Sequence, residues 1–325
     1  MSSTPPDATP PAPRASGRRL AWQQVPGHVR GAVEAVLGAP VVEAVTQEGG
    51  FSPGAAARLR LADGRRAFVK ALGIDVHRPS FELYRSEAAV MPRLPQGLPV
   101  PRLLGVCDDG EWVALVYEEI DGRQPTVPWW PDELDRVAAT LSDLGAALRP
   151  SPLPDAPGFA EMEGNAAFLG GWRRLAASPP PDVDPWLCHQ LHRLAAEGTD
   201  LAELVGGDTL LHTDLRSDNL LLTSDGGVVV IDWAWTCNGA PWLDLLLFAA
   251  TVNAEGGGDA ERLVRTHPLT RGVAPACIDV VLLAAAGSYW WMSLGSEDPA
   301  MPGGRANQRA YAHATLRWVR RRIGG

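Results

Sequence analysis

The stretch His212-Thr213-Asp214-Leu215-Arg216-Ser217-Asp218-Asn219 decides the reading of this chain, together with Val230-Ile231-Asp232-Trp233, whose aspartate falls thirteen residues after Asn219. Short apolar runs surround it: Thr209–His212, Leu220–Thr223 and, after the turn Asp225-Gly226-Gly227, Val228–Ile231. Runs of this length bounded by turn residues read as strands. A loop between short strands then presents Asp214, Asn219 and Asp232 together. Asn219 and Asp232 supply oxygen ligands suited to a hard cation such as Mg²⁺. Asp214 lies outside that pair, where it can accept a proton from a hydroxyl. Asx residues also favour turns, so plain turn chemistry is the competing reading of the same triad.

Working outward, the next signal is a count. The chain has 325 residues and 29 basic side chains, of which Lys70 alone is lysine and the other 28 are arginine. Lysine is a compact point charge on a flexible stem, whereas arginine is a wide planar fork. A lone lysine in an arginine-rich chain marks a place where arginine does not serve, unless it is a survivor of chance.

Composition removes several classes. A chain that is 46% hydrophobic and 21% charged is neither wholly disordered nor fibrous. A net charge of −9 argues against a nucleic-acid partner bound through its phosphates. Cys107, Cys188, Cys237 and Cys277 show no metal-ligand spacing and read as small buried residues of a reducing, cytoplasmic compartment. Residues 1–19 are rich in Pro, Ala and Ser/Thr and are expected to form a disordered tail. No apolar stretch follows a basic start, so no secretory signal is expected. The most apolar run, Ile278–Gly295, carries Asp279 and Ser288 and reads as a buried helix, with no membrane partner.

Two regions differ in pattern. Val41–Thr46, Ala56–Leu61, Arg66–Ala71, Arg102–Cys107 and Trp112–Glu118 read as strands joined by Gly-rich or Asp-Gly turns, with one helix opening at Pro79 and running to Leu94. From Pro131 onward helices are predicted over Pro131–Leu148, Pro185–Leu204, Pro241–Asn253, Pro275–Leu294 and Arg305–Arg322. The expected architecture is α+β: a small antiparallel β-rich lobe over 20–120 and a larger helical lobe over 121–325, joined near Asp121-Gly122. A cleft at such a join is the default binding site.

His-x-Asp-x-x-x-x-Asn followed by a strand and Ile-Asp-Trp resembles the catalytic and metal loops of the protein-kinase-like fold. It resembles most the aminoglycoside phosphotransferase and choline kinase branch, in order and spacing from Val41 to near the C-terminus. The resemblance implies a two-lobe enzyme that moves the γ-phosphate of ATP, with Mg²⁺, to a hydroxyl of a small molecule. An antibiotic, an amino alcohol or a sugar would serve as acceptor. It implies Asn219 and Asp232 as metal ligands and Asp214 as the base, with Arg216 beside it offsetting charge on the phosphoryl group or standing solvated in the loop. Gly49, Gly50 and Ser52 fall where the family covers the nucleotide phosphates. Lys70 matches the third-strand lysine that contacts them, and Glu87 on the following helix its ion-pair partner. Glu118 and Ile120 resemble the hinge that faces adenine, with Leu221 and Ile231 near the base plane. His212 and Asp244 match residues that brace the catalytic loop.

Eight residues separate Asp232 from Pro241, too few for an activation segment, which argues against a protein substrate. A catalytically silent nucleotide-binding module of the same fold is the alternative function. The acceptor is not fixed. Asp132, Glu133, Asp135, Glu161, Glu163, Glu297 and Asp298 are candidates to meet a polycation, with solvated helix or loop faces as the competing reading, and Arg317–Arg322 would repel a polycation if that helix end reached the site. Trp129, Trp130, Trp172, Trp290 and Trp291 could line a sugar or aromatic pocket, with core packing the competing reading for most of them. A monomer or weak dimer is expected.

Overall fold

A computed structural model describes residues 19–47, 49–50 and 52–324. The stretch 1–18, most of the expected tail, lies outside the described residues, as does Phe51. Arg19 does not belong with a tail. It opens strand β1 (Arg19–Leu20), which pairs in parallel with the start of β3 (Gly54–Leu61). β2 (Val41–Thr46) covers the rest of that same edge antiparallel. The sheet continues through β4 (Arg66–Gly73) and β6 (Trp112–Glu118) to β5 (Leu103–Asp108), each pair antiparallel.

Side chains alternate across a strand, and here the alternation sorts two cores. Ala67, Val69 and Ala71 of β4, with Ala114 and Val116 of β6, pack under α1 (Gly27–Leu37) through Val29, Val33 and Leu37. Leu72 of β4, with Val113, Leu115 and Tyr117 of β6, faces the other way, against Phe81 and Tyr84 of α2 (Arg78–Val90). Lys70 belongs to this second set by register, so the sole lysine shares a face with the helix that carries Glu87. α2 stops at Val90 and a 3₁₀ turn follows over Met91–Arg93, short of the expected end at Leu94.

After the short strand β7 (Gly122–Arg123) the chain is mainly helical: α3 (Pro131–Ala147), α4 (Glu163–Ala177), α5 (Pro185–Ala196) and α6 (Leu201–Leu204). The helix expected over Pro185–Leu204 is therefore two. Gly198, at φ 70°, ends the first, and Asp200 caps the second by accepting from the N–H of Ala202 and Glu203. β8 (Thr209–Leu211), the hairpin β9 (Leu220–Thr223) and β10 (Val228–Val230), and β11 (Cys237–Gly239) form the interlude. β7 pairs with β9, and β8 with β11. Then come α7 (Leu243–Glu255), α8 (Ala260–Thr266), α9 (Pro275–Met292) and α10 (Gly304–Ile323). α9 is apolar all round because it is packed between α4 and α10 rather than along one stripe. Gly171 and Gly287 permit the close approach: a Cβ on Gly171 would lie 3.1 Å from the Ser288 Cα, and one on Gly287 3.0 Å from the Trp172 Cβ.

Candidate active site

The loop after β8 is held by hydrogen bonds to its backbone. The Asp244 carboxylate, in the first turn of α7, accepts from the N–H of His212 (2.7 Å) and of Thr213 (2.8 Å). Thr213 sits at φ 63°, a left-handed conformation that a β-branched residue keeps only when its surroundings fix it. Its hydroxyl donates to the Trp235 carbonyl (2.8 Å). His212 is buried, and burial pulls its pKa down, so the ring is neutral. Nδ1 accepts from the Asp214 N–H (3.2 Å) and Nε2 donates to the Ile231 carbonyl (2.9 Å), tying this loop to the one after β10.

Asp214 thus projects from a braced loop. Asn219 Nδ2 donates to its carbonyl (2.8 Å) and its Oδ2 (3.0 Å). Burial raises the Asp214 pKa to about 6, against the pull of Arg216 and with a further push from Asp218 and Asp232. The Arg216 guanidinium forks onto Asp218 and lies 3.9 Å from Asp214 Oδ1. It is therefore a bound side chain and not a solvated loop arginine.

Lys70 reaches the same place from the sheet. Its Nζ donates to Glu87 Oε2 (2.6 Å) and to Asp232 Oδ1 (2.9 Å), and stands 4.8 Å from the Tyr84 ring centroid. Burial works against its charge, but the two carboxylates outweigh it and hold the ammonium above its ordinary pKa. Glu87 is fully buried and accepts also from the Tyr117 hydroxyl (2.8 Å). Asp232 sits at φ 68°, and despite burial Lys70 holds its pKa below the usual carboxylate value.

These residues line one cleft of about 1380 Å³ between the sheet and the helical part. Gly49, Gly50, Ser52, Lys70, Glu87, Glu118, Ile120, Asp214, Arg216, Asn219, Leu221, Ile231 and Asp232 all contribute to its wall. The structure brings to this one wall all the residues expected to serve the nucleotide, the metal and the base. It adds one that sequence reasoning missed: Arg19 donates to the carbonyls of Ser52 (2.7 Å) and Gly49, bracing the glycine loop from a segment assigned to the tail.

The acceptor-side expectations fare unevenly. Of the seven acidic residues singled out, Glu297 and Asp298 line the cleft. Glu133 is buried against Arg123 and Thr126, Asp135 pairs with Arg262, Glu161 caps Gly158, and the side chain of Glu163 lies outside the described residues. The end of α10 is not at the cleft: Arg320 pairs with Asp184, and Arg322 with Asp279 and Glu261. Trp129, Trp172 and Trp290 are core residues, Trp130 is exposed, and the tryptophan that lines the cleft is Trp235.

The sequence model of a phosphotransferase enzyme family matches residues 50–315. The chain belongs to that phosphotransferase enzyme family. No curated protein matches. Among solved structures, the phosphotransferase resembles a thermostable mutant of the aminoglycoside phosphotransferase APH(4)-Ia, crystallised with AMP-PNP and hygromycin B. The TM-score is 0.61 and the identity 18%, over 92% of this chain and 100% of that one. It also resembles the choline kinase LicA from Streptococcus pneumoniae, at TM-score 0.56 and 14% identity over 89% and 98%. At such identities the likeness establishes the fold. It bears out the expected α+β, kinase-like architecture.

Proposed function

We propose that this phosphotransferase transfers the γ-phosphate of Mg²⁺-bound ATP to a hydroxyl of a small molecule. The observation that carries the reading is the meeting of Lys70, Asp214, Asn219 and Asp232 in one cleft, drawn from β4 and two loops up to 162 residues apart. Lys70, held charged by two carboxylates, is set to meet the nucleotide phosphates under the Gly49–Gly50 loop. Glu118 and Ile120, at the end of β6, with Leu221 and Ile231, form the opposite wall for the base.

Asn219 and Asp232 fit a hard cation. Asp232 is kept ionised, and the hydrogen bonds from Asn219 Nδ2 to Asp214 leave its amide oxygen as the ligand atom. Two protein oxygens suit Mg²⁺, which fills its remaining positions with phosphate and water. When bound, the metal neutralises charge on the phosphates. Asp214 orients the acceptor hydroxyl and takes its proton, and Arg216, 3.9 Å away, balances the local negative charge. Catalysis in such a site is mostly positioning and charge stabilisation. The short path from Asp232 through β11 to α7 leaves no platform for a peptide, so the acceptor is small. Four free cysteines suit a cytoplasmic setting, where ATP is available.

Asp214→Asn tests the assignment. Transfer should fall by about 10²–10⁴-fold, the usual worth of a general base, while calorimetric Mg²⁺–ATP affinity stays within about threefold. A variant keeping more than a tenth of the wild-type rate at saturating substrate would contradict it.

A further inference from the structure

Arg19 opens β1, in register with Gly54, where the glycine loop returns to the sheet. Its guanidinium clasps both ends of that loop: Nη1 donates to the Ser52 carbonyl (2.7 Å) and Nη2 to the Gly49 carbonyl. Gly50, at φ 93°, leaves room for the fork, since a Cβ there would lie 2.7 Å from Nη2. Arg19, Gly49, Gly50, Ser52, Lys70 and Tyr84 all line the cleft.

The charge of Arg19 is not neutralised by the protein. Lys70 is paired with Glu87 and Asp232, and Arg216 with Asp218. Arg19 is bonded to neutral carbonyls, with no carboxylate in an ion pair with it among the described residues. Its Nε–H is buried and meets no acceptor among them, and the buried Tyr84 hydroxyl likewise has no partner. Tyr84 stands beside Lys70, whose Nζ lies 4.8 Å from the ring centroid. Burial holds the Tyr84 hydroxyl above its ordinary pKa, and Lys70 and Arg19 are the two positive charges that pull it back down. Both cations therefore bear on one part of the cleft, below the glycine loop. An unneutralised guanidinium with unmatched polar atoms nearby is the complement of an anion, and phosphate is the anion arginine serves best. Both terminal nitrogens are engaged, so Arg19 acts through its charge and through the loop it holds.

We infer that Arg19 determines affinity for the nucleotide phosphates, supplying from β1 a second positive charge on the wall that carries Lys70 and leaving the base untouched; this rests on the phosphotransferase reading above. The test is titration calorimetry on the full chain with two probes, Mg²⁺–AMP-PNP, which carries the phosphates, and adenosine, which carries the base alone. Arg19→Gln keeps a hydrogen-bond donor for the loop but removes the charge. It should weaken AMP-PNP by about tenfold or more while adenosine stays within about twofold. Arg19→Lys keeps the charge without the fork and should hold AMP-PNP within about threefold of wild type. Retained adenosine binding also shows that each variant is folded. Unchanged or tighter AMP-PNP binding in Arg19→Gln, adenosine falling in parallel with AMP-PNP, or Arg19→Lys binding as weakly as Arg19→Gln would overturn the inference. A wild type that binds neither probe would overturn it together with the nucleotide reading. AMP-PNP binding that depends on Arg19 as described, in a wild type that transfers no phosphate, would support the assignment while counting against the transfer reading.

Discussion

At the scale of single residues, the site depends on one carboxylate that resists ionisation. Burial raises Asp214 to about 6, above its ordinary 3.8. A base must be deprotonated, so kcat/KM should rise with pH through about 6 and then level off. Arg216 is the largest force pulling that value down. In Arg216→Gln the acid limb should therefore move to higher pH, as read from a pH–rate profile; an unmoved midpoint would remove Arg216 from the site's electrostatics. The same shift has a stability consequence of opposite sense. A carboxyl whose folded pKa is raised favours the fold while protonated, and that advantage is lost as pH rises from about 4 to 6. Above pH 6 the partly desolvated charge costs stability, so Asp214→Asn should unfold at a higher temperature at pH 7. The gain is about 1 kcal/mol once solvent screening of a side chain 34% exposed is allowed for. A lower melting temperature would show that the charge is stabilising where it stands.

Among the elements, the loop after β8 is fixed by hydrogen bonds to both ends of α7. Asp244 holds it from α7, and at the far end of that helix Glu255 accepts from the Ser217 hydroxyl (2.6 Å) and from Trp129 Nε1 (2.6 Å). Asp244→Ala would strand the buried N–H groups of His212 and Thr213. It should cost about 2–4 kcal/mol in denaturant unfolding and lower kcat more than it raises the KM for ATP; a cost below about 1 kcal/mol would mean the loop holds itself. This loop was legible in the sequence because its chemistry is local: His212, Asp214, Asn219 and Asp232 fall within 21 residues of one another. Elements whose logic is tertiary were not. α4 carries Gly170 and Gly171 side by side, poor helix formers in isolation, and Gly171 is explained only by Ser288 across the interface. Gly198 inside the run Pro185–Leu204 gave a visible sign of the break between α5 and α6, but the apolar spacing on either side masked it.

For the whole molecule, the fold is a device for bringing distant segments to one cleft. One contribution to that cleft could not be read from the sequence: Arg19 acts on backbone carbonyls that no motif marks. The lysine could be read, because it stands alone among 28 arginines. In the structure it links the sheet, α2 and the loop after β10 through Glu87 and Asp232. Lys70→Arg keeps the charge and, at an exposed site, would change almost nothing. Inside this buried triangle a planar fork cannot keep both short contacts and still leave room for phosphates. Displacing reacting groups by about 1 Å costs on the order of 10²-fold in rate. The decisive measurement is the rate of phosphoryl transfer by Lys70→Arg at saturating ATP, alongside its melting temperature without ligand. The account predicts a loss of about 10²-fold or more with the melting temperature within a few degrees of wild type; full activity would contradict the placement of Lys70 at the phosphates and the phosphotransfer site built around it.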